Sequence, residues 1–460
     1  MFRNWFDRLR EADDRACAAV VRALDLPLRR AAMTALTALA LPVGFVLALV
    51  LGNISALDAA LCALILALWC RAMLGGTRPR LLDAVASAVL LALVFAVRMA
   101  ALPVISPDCD YHLLDWANVM ADLSFTQIMA RQVGDYTVFY QYFVYLLARL
   151  PFDRVVMFKA FSFAFEALLG WSAASLVCLA RGEDKDSLCF RGVFLLTLAL
   201  PTVLTNSAVW AQCDAIYTSL VLGGMALAMQ KRPALASVCL GLSLCVKLQA
   251  VFVLPAVLLL LLWRRLSLRH VLLMGLTFLA VALPAMLGGK GLKAVLSVYL
   301  YQMGEYKTLS LSAPSLFALF DDVSLLGRDI AASMGVLLAL AACGAIVTLG
   351  AQRRTPDPVI LVDVCFALSA CIPLFLPYMH ERYFFAADVM SAVYACVHPR
   401  RAWVCPAVLL CSLNGYTACF VGGQVLVPWH AAVLLLVLVC ALAVFALARD
   451  ARGKEDCISR

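Results

Sequence analysis

YTVFYQYFVYLLARL, residues 136–150, is apolar and aromatic enough to be drawn as a membrane crossing, and its reading decides the topology of everything after it. Counted as a crossing, it inverts every downstream loop and carries the basic pair Lys231-Arg232 outside. Left out of the count, it keeps Arg29-Arg30, Arg78 with Arg80, Lys231-Arg232, Arg264-Arg265, Arg353-Arg354 and Arg400-Arg401 on the side of the N-terminus, as the positive-inside rule requires. The stretch is therefore expected to be a helix lying along the outer membrane surface, with Tyr and Phe at headgroup depth.

Composition points the same way. Of 460 residues 64% are hydrophobic and 14% charged, which excludes a soluble globular core and describes an all-α, polytopic integral membrane protein. Apolar segments run at about 33–51, 56–73, 81–104, 157–180, 191–206, 214–230, 233–249, 251–263, 270–287, 330–350, 359–377, 384–397, 402–421 and 428–448, giving 12–14 expected transmembrane helices. The N-terminus, MFRNWFDRLREADDR, mixes acids and bases and lacks the apolar core and cleavage site of a signal peptide. It reads as a cytoplasmic amphipathic segment, 1–32. Two accessory crossings (33–80) are expected to follow. After them come a catalytic module (81–287) containing an external loop at 105–156, a second external loop (288–328), C-terminal crossings (329–448) and a cytoplasmic tail (449–460).

The net charge of +8 sits in short clusters between apolar segments, with no basic run interleaved with aromatics, which argues against nucleic acid. The 18 cysteines lie mostly within apolar stretches as small hydrophobes, in neither zinc spacing nor a disulfide framework. Cys109 with Cys213 is a minor alternative for a bond on the outer side.

With this orientation the polar residues converge on the outer face. SPDCDYHLLDW (106–116) brings Asp108 and Asp110 into a Pro-broken turn at the end of a crossing. Ionisable groups near membrane depth cost about 2.5–3.5 kcal/mol each on insertion scales, so such a pair is either a base or metal site or a solvated loop. Asp115 and Asp122, seven apart on an expected helix over 112–131, read more simply as its solvated face. Lys247 in KLQ is either a snorkelling lysine or a cation for a phosphate headgroup, with Gln249 as a hydrogen-bond donor. His380, Glu381 and Arg382 in MHERY are either a helix start with a salt bridge or an acid beside a phosphate-binding arginine; the second histidine of a zinc HExxH motif is absent. Trp210, Gln212 and Asp214 in WAQCD could hold a sugar, or form a helix start with Asp214 as N-cap. There is no Walker loop, Gly-rich dinucleotide turn or Ser/His/Asp signature, so a soluble nucleotide-driven reaction is not expected.

Taken in order, SPDCDYHLLDW (106–116), GDYTVFYQYFVYLLARLP (134–151), NSAVWAQCDAIYTSLVL (206–222), GLSLCVKLQAVFVLPAVLLLL (241–261), SVYLYQMGEYKTLSLSAPS (297–315) and LPYMHERYFFAADVMSAVYA (376–395) resemble the GT-C glycosyltransferases. More narrowly, they resemble the bacterial mannosyltransferase-like proteins related to the GPI mannosyltransferase 2 family. The family usually has Gly where Ala211 stands, and often Asn where Ser312 and Ser315 stand. The resemblance implies an inverting transfer of a hexose, mannose above others, from a polyprenyl-phosphate sugar to an envelope glycan, lipid or protein on the outer face of the cytoplasmic membrane. It implies Asp108 as the base, with Asp110 the alternative, and the donor phosphate on Lys247, Gln249 and Arg382. Sugar or acceptor contacts would come from Trp116, Trp210, Gln212, Asp214, Gln302, Tyr306, His380 and Glu381. A divalent cation, Mg or Mn, finds hard oxygens in Asp108 and Asp110, but two carboxylates are too few to specify a site.

The rival from another class is a transporter or flippase of lipid-linked sugars. It would place charges near the bilayer midplane and repeat its halves, and no repeat is visible here. A structural scaffold, the third reading, would not need these residues to converge.

Overall fold

The structure, a computed structural model, describes residues 55–74, 80–304, 308–320 and 325–452, with Arg15, Ala18, Val46 and Val50 as isolated positions before them. Apart from those positions, the expected amphipathic segment and first crossing lie outside the described residues. What is described is all-α: a polytopic membrane protein whose single two-residue strand pair is its only sheet among those residues. Among the described residues eight helices are long and apolar enough to cross a bilayer, or nine when a bent pair is counted as one span.

Helix α1 (Ala56–Leu74) and α2 (Leu81–Ala101) are the first two described crossings. The chain then enters a long loop through a π-helical turn, Cys109–Leu114, that runs into α3 (Asp115–Ala121). The helix expected over 112–131 is broken here, because Ser124 caps a fresh start with Gln127, giving α4 (Phe125–Ala130). Helix α5 (Val138–Leu147) is the stretch on which the topology turned. Its ten residues reach about 15 Å at 1.5 Å each, half the roughly 30 Å of hydrocarbon, so it does not cross. Its Val138, Tyr140, Gln141 and Val144 are buried against the bundle.

Helix α6 (Arg154–Arg181) is the longest, started by the Asp153 carboxylate and stopped by Gly182 in the left-handed conformation. Helix α7 (Leu188–Ala199) and α8 (Pro201–Val209) form the bent span, turning by 54° where Pro201 cannot continue the ladder. Helix α9 (Asp214–Met229) is buried at every residue and is apolar around its whole circumference apart from Asp214 and the three hydroxyls of Tyr217, Thr218 and Ser219, as an internal helix must be. Enclosed in this way, its sixteen residues need not match the lipid thickness. Helix α10 (Pro233–Val246) packs beside it, followed by the 3₁₀ turn Leu248–Phe252 and the seven-residue α11 (Ala256–Leu262), which occupies the expected crossing 251–263.

Helices α12 (Leu268–Leu287) and α13 (Leu292–Gly304) lead to a second long loop, and α14 (Leu325–Ala351), α15 (Pro358–Phe375), α16 (Phe385–Val397), α17 (Val404–Phe420) and α18 (Trp429–Arg452) complete the bundle. Strand β1 (Ser310–Leu311) pairs in parallel with β2 (Met379–His380), tying this second loop to the MHERY turn.

Burial of charge sets the packing between crossings. The Arg98 Nε lies 2.8 Å from Glu166 Oε2, both side chains fully enclosed, and its guanidinium also donates to Leu198 O (2.7 Å) and faces the Trp69 ring at 4.8 Å. Ser207 Oγ donates to the other Glu166 oxygen, so one ion pair joins α2, α6, α7 and α8. Lys159, equally enclosed, spends its ammonium on three carbonyls at the end of α2: Ala101 (2.8 Å), Leu102 (3.0 Å) and Val104 (2.6 Å). Removing one member of such a pair strands a charge, which typically costs about 3–5 kcal/mol. Glu166→Ala is accordingly expected to lower the yield of monodisperse protein in detergent and its thermal unfolding temperature, with Arg98→Met/Glu166→Leu recovering much of the loss. Unfolding temperatures equal for wild type and Glu166→Ala would contradict this.

Candidate active site

Two irregular turns meet at one end of the bundle. The first follows α2, where Pro107 and the π turn carry Asp108 and His112. Ser106, buried, caps this turn by accepting from Cys109 N–H (3.1 Å) while its hydroxyl donates to Trp210 O (3.2 Å) of the second turn. The second turn ends α8: Trp210 N–H reaches back to Thr205 O (2.9 Å) and Gln212 N–H to Asn206 O (2.9 Å), a widened cap that requires a left-handed residue between them. Ala211 supplies it, at φ 61°. That position explains why Gly suits it, since a Cβ there is strained by roughly 1–2 kcal/mol.

Asp108 stands at the junction. Its Oδ2 accepts from Gln212 Nε2 at 2.5 Å and lies 3.2 Å from Arg382 Nη1, while Oδ1 is 3.9 Å from His112 Nε2. The carboxylate keeps 26% exposure, so it is held from the protein side and open on the other. Gln212 cannot swing away: Tyr136 O–H donates to its Oε1 (2.8 Å), and Ser162 Oγ donates to its backbone oxygen (2.7 Å). Tyr136 in turn packs edge-on to Trp116, 5.4 Å between centroids, and Trp116 fits because Gly134 (φ 75°) has no Cβ where the indole lies. Asp110, two residues from Asp108 and on another side of the turn, is exposed, as are Asp115 and Asp122.

The cations expected to cradle a phosphate are already engaged. Lys247 is buried, with Nζ 2.6 Å from Asp214 Oδ1, and Asn206 donates to the other Asp214 oxygen (2.9 Å). Lys247 therefore does not snorkel, and Asp214 is not an N-cap: Cys213 caps α9, and the Asp214 carboxylate neutralises the lysine. Arg382 Nη1 bridges Asp108 and Glu381 Oε1 (3.0 Å) and stacks on Trp210, 5.3 Å from its ring. Burial alone would raise the Glu381 carboxyl, but the hydrogen bond from His380 and the Arg382 charge hold it below its usual range. Gln249 is buried, and its Oε1 has no hydrogen-bond partner among the described residues.

The MHERY turn is fixed by neighbours. Tyr378, at φ 63°, donates its N–H to Leu309 O (2.7 Å), and Ser312, at φ 51°, shares that left-handed conformation, which Asn tolerates well. Helix α17 approaches at Gly415, where a Cβ would lie 2.2 Å from Ser312 O and 3.2 Å from Glu381 Cβ.

Of the residues singled out in the sequence, Asp108, Gln212, Arg382, Glu381, His380 and Trp210 thus form one connected cluster, with Trp116 joined through Tyr136 and Lys247–Asp214 behind it. Asp110 takes no part. Gln302 falls within α13, and Tyr306 lies outside the described residues. Cys109 and Cys213 are free and buried, with no bond between them. Sequence reasoning missed Tyr136, His112, Lys159, Arg98 and Glu166; a lone charge inside an apolar run was the available signal for the last three. Among the described residues no three His, Cys, Asp or Glu side chains group as ligands for a metal ion.

The polytopic bundle thus carries, at one end, a partly open carboxylate held by an amide and a guanidinium. The family model for glycosyltransferase family 87 matches residues 136–377, more than half of the chain, and the chain belongs to that family. The match takes in Tyr136, Gln212 and Lys247 and stops short of Asp108 and Arg382 at either end. No curated protein matches the chain.

The strain at Ala211 is directly testable. Ala211→Gly is expected to raise stability by up to about 1 kcal/mol, and Ala211→Val to lower it, both read by thermal unfolding in detergent. A lower unfolding temperature for the glycine variant would show that the turn is not held as described.

Proposed function

We propose that this glycosyltransferase moves a hexose, mannose in the first instance, from a polyprenyl-phosphate sugar to an envelope glycan, lipid or protein. The reaction takes place on the outer face of the cytoplasmic membrane, with both termini inside. The observation that carries this reading is Asp108: a carboxylate one-quarter exposed, paired with Arg382 and aimed by Gln212, at one end of a membrane bundle. Membership of family 87 supports the reaction class, and the narrower likeness to mannosyltransferase-like proteins supports the sugar.

In the proposed mechanism an acceptor hydroxyl enters from the open side of Asp108. The carboxylate accepts its proton as the oxygen attacks the anomeric carbon. The bond from that carbon to the phosphate oxygen breaks in the same displacement, which inverts the anomeric centre. Polyprenyl phosphate leaves with the bonding electrons as an oxyanion and needs no proton, so one carboxylate suffices. Trp116, at the edge of the open cavity, offers an aromatic face to the sugar ring, while the buried Trp210 carries the Arg382 guanidinium, which pairs with Asp108 without covering it. Lys247 acts at one remove, holding Asp214 and through it the start of α9 beneath the Trp210–Gln212 turn.

The test is transfer of radiolabelled sugar from polyprenyl-phosphate mannose, and in parallel polyprenyl-phosphate glucose, to cell-envelope extract. General-base catalysis contributes about 10²–10⁴-fold, so Asp108→Asn should lose at least about 100-fold in rate while Asp110→Asn stays within about threefold of wild type. An Asp108→Asn protein that is folded and still active would remove Asp108 from the chemistry.

A further inference from the structure

Beside the Asp108 cluster lies a cavity of about 940 Å³. One wall is the first outer loop, with His112, Trp116 and Asp135; the other is the turn after α12, with Gly289 and Lys290, and the start of α13, with Ser297. His112 is shared between the cavity and the cluster, since its Nε2 is 3.9 Å from Asp108. The volume is at the upper end of the range for small-molecule sites, ample for a sugar joined to a phosphate.

Lys290 distinguishes this cavity. The residue is 3% exposed, and its Nζ donates to Gln132 Oε1 (3.0 Å) and Gln141 Oε1 (3.2 Å). Both carboxamides are pinned from their nitrogens: Gln132 Nε2 donates to Gly134 O (2.8 Å) and Tyr136 O (2.7 Å), and Gln141 Nε2 to Ile128 O and Arg131 O (3.0 Å each). Their oxygens are thereby presented to the ammonium, and the Lys290 backbone is locked by its own N–H to Ala285 O (3.0 Å). An ammonium has three hydrogens, and these bonds use two. The other buried cations among the described residues are satisfied differently. Arg98, Arg191 and Lys247 each meet a carboxylate, and Lys159 spends three bonds on carbonyls. For Lys290 the described residues supply no carboxylate within ion-pair distance, and burial pulls its pKa down to about 8. A cation built into a protein wall, held by neutral groups and facing a cavity, is a seat for an anion that arrives with a ligand.

We propose that Lys290 binds the phosphate ester of the lipid-linked substrate, with the sugar extending past His112 and Trp116 toward Asp108. This rests on the reading that the donor is a prenyl phosphate, and it moves the phosphate away from Lys247, whose charge Asp214 already neutralises. It also gives the turn after α12 a role in substrate binding, with Gln132 and Gln141 as positioning residues that fix the ammonium.

The experiment measures binding of farnesyl phosphate to the purified full chain in detergent, with farnesol and inorganic phosphate as comparison ligands. Wild type is expected to prefer farnesyl phosphate over farnesol by about tenfold or more, equivalent to about 1.4 kcal/mol. Lys290→Gln should abolish the preference and Lys290→Arg should retain much of it. Independently of any variant, farnesyl phosphate should slow reductive methylation of Lys290 in the wild-type protein, read by mass spectrometry. An unchanged preference in Lys290→Gln, or methylation unaffected by the ligand, overturns the assignment; so does equal protection by inorganic phosphate, which would mark a site for free anion. If Lys290→Gln keeps wild-type KM for a polyprenyl-phosphate sugar, the assignment fails while the donor class stands. A wild type that ignores farnesyl phosphate and takes sugar only from a nucleotide donor sinks both.

Discussion

A charge withdrawn from water must be met by a partner, and in this chain that requirement determines how the crossings are locked together. Arg98 and Glu166, 68 positions apart, are enclosed at 2.8 Å, and leaving either one alone would cost a large part of a typical protein's stability. Lys159 answers the same constraint with carbonyls freed where α2 ends. Both partnerships bear on the site. Lys159 fixes the end of α2 and so the start of the turn bearing Asp108, while Ser207, bonded to Glu166, fixes the turn bearing Trp210 and Gln212. The Gln212–Asp108 hydrogen bond is where the two constraints meet.

The same rule governs the site itself. Arg382 lies between Asp108 and Glu381, and Lys247 lies against Asp214, so the region behind the Asp108 carboxylate is almost neutral and strongly hydrogen-bonded. Low mobility follows for Gln212, which is bonded at its amide nitrogen, its amide oxygen and its backbone carbonyl. A preorganised carboxylate of this kind needs little rearrangement at the moment of proton transfer. The irregular backbone at Ala211, Ser312 and Tyr378, each left-handed without being glycine, stores strain in the three segments that frame the cluster.

Much of the fold was legible because apolar runs of membrane length have few other interpretations. The reading of 136–150 as a surface helix came from charge distribution, and the ten-residue α5 agrees with it. Less was legible where helices are short: α11 and the break at 122–124 depend on local caps and neighbours rather than on hydropathy. In the site, WAQ, KLQ and MHERY were visible as polar interruptions, but their partners were not. Nothing in a linear pattern pairs Lys247 with Asp214 or Gln212 with Asp108 across 104 positions. Asp108 and Asp110 were inseparable in sequence; the turn separates them by pointing one into the cluster and one to the surface. Lys290 went unnoticed because GGKG looks like an ordinary loop, and its burial comes from two glutamines about 150 positions earlier.

The proposed arrival of sugar on a lipid phosphate, rather than on a soluble nucleotide, can be read in one measurement. The most direct test reconstitutes the purified chain in liposomes and supplies labelled sugar either as a polyprenyl-phosphate ester in the bilayer or as a nucleotide ester in solution. Transfer to a hydroxyl acceptor from the lipid ester alone is the predicted result. Transfer from the nucleotide ester, with the lipid ester inert, would contradict it.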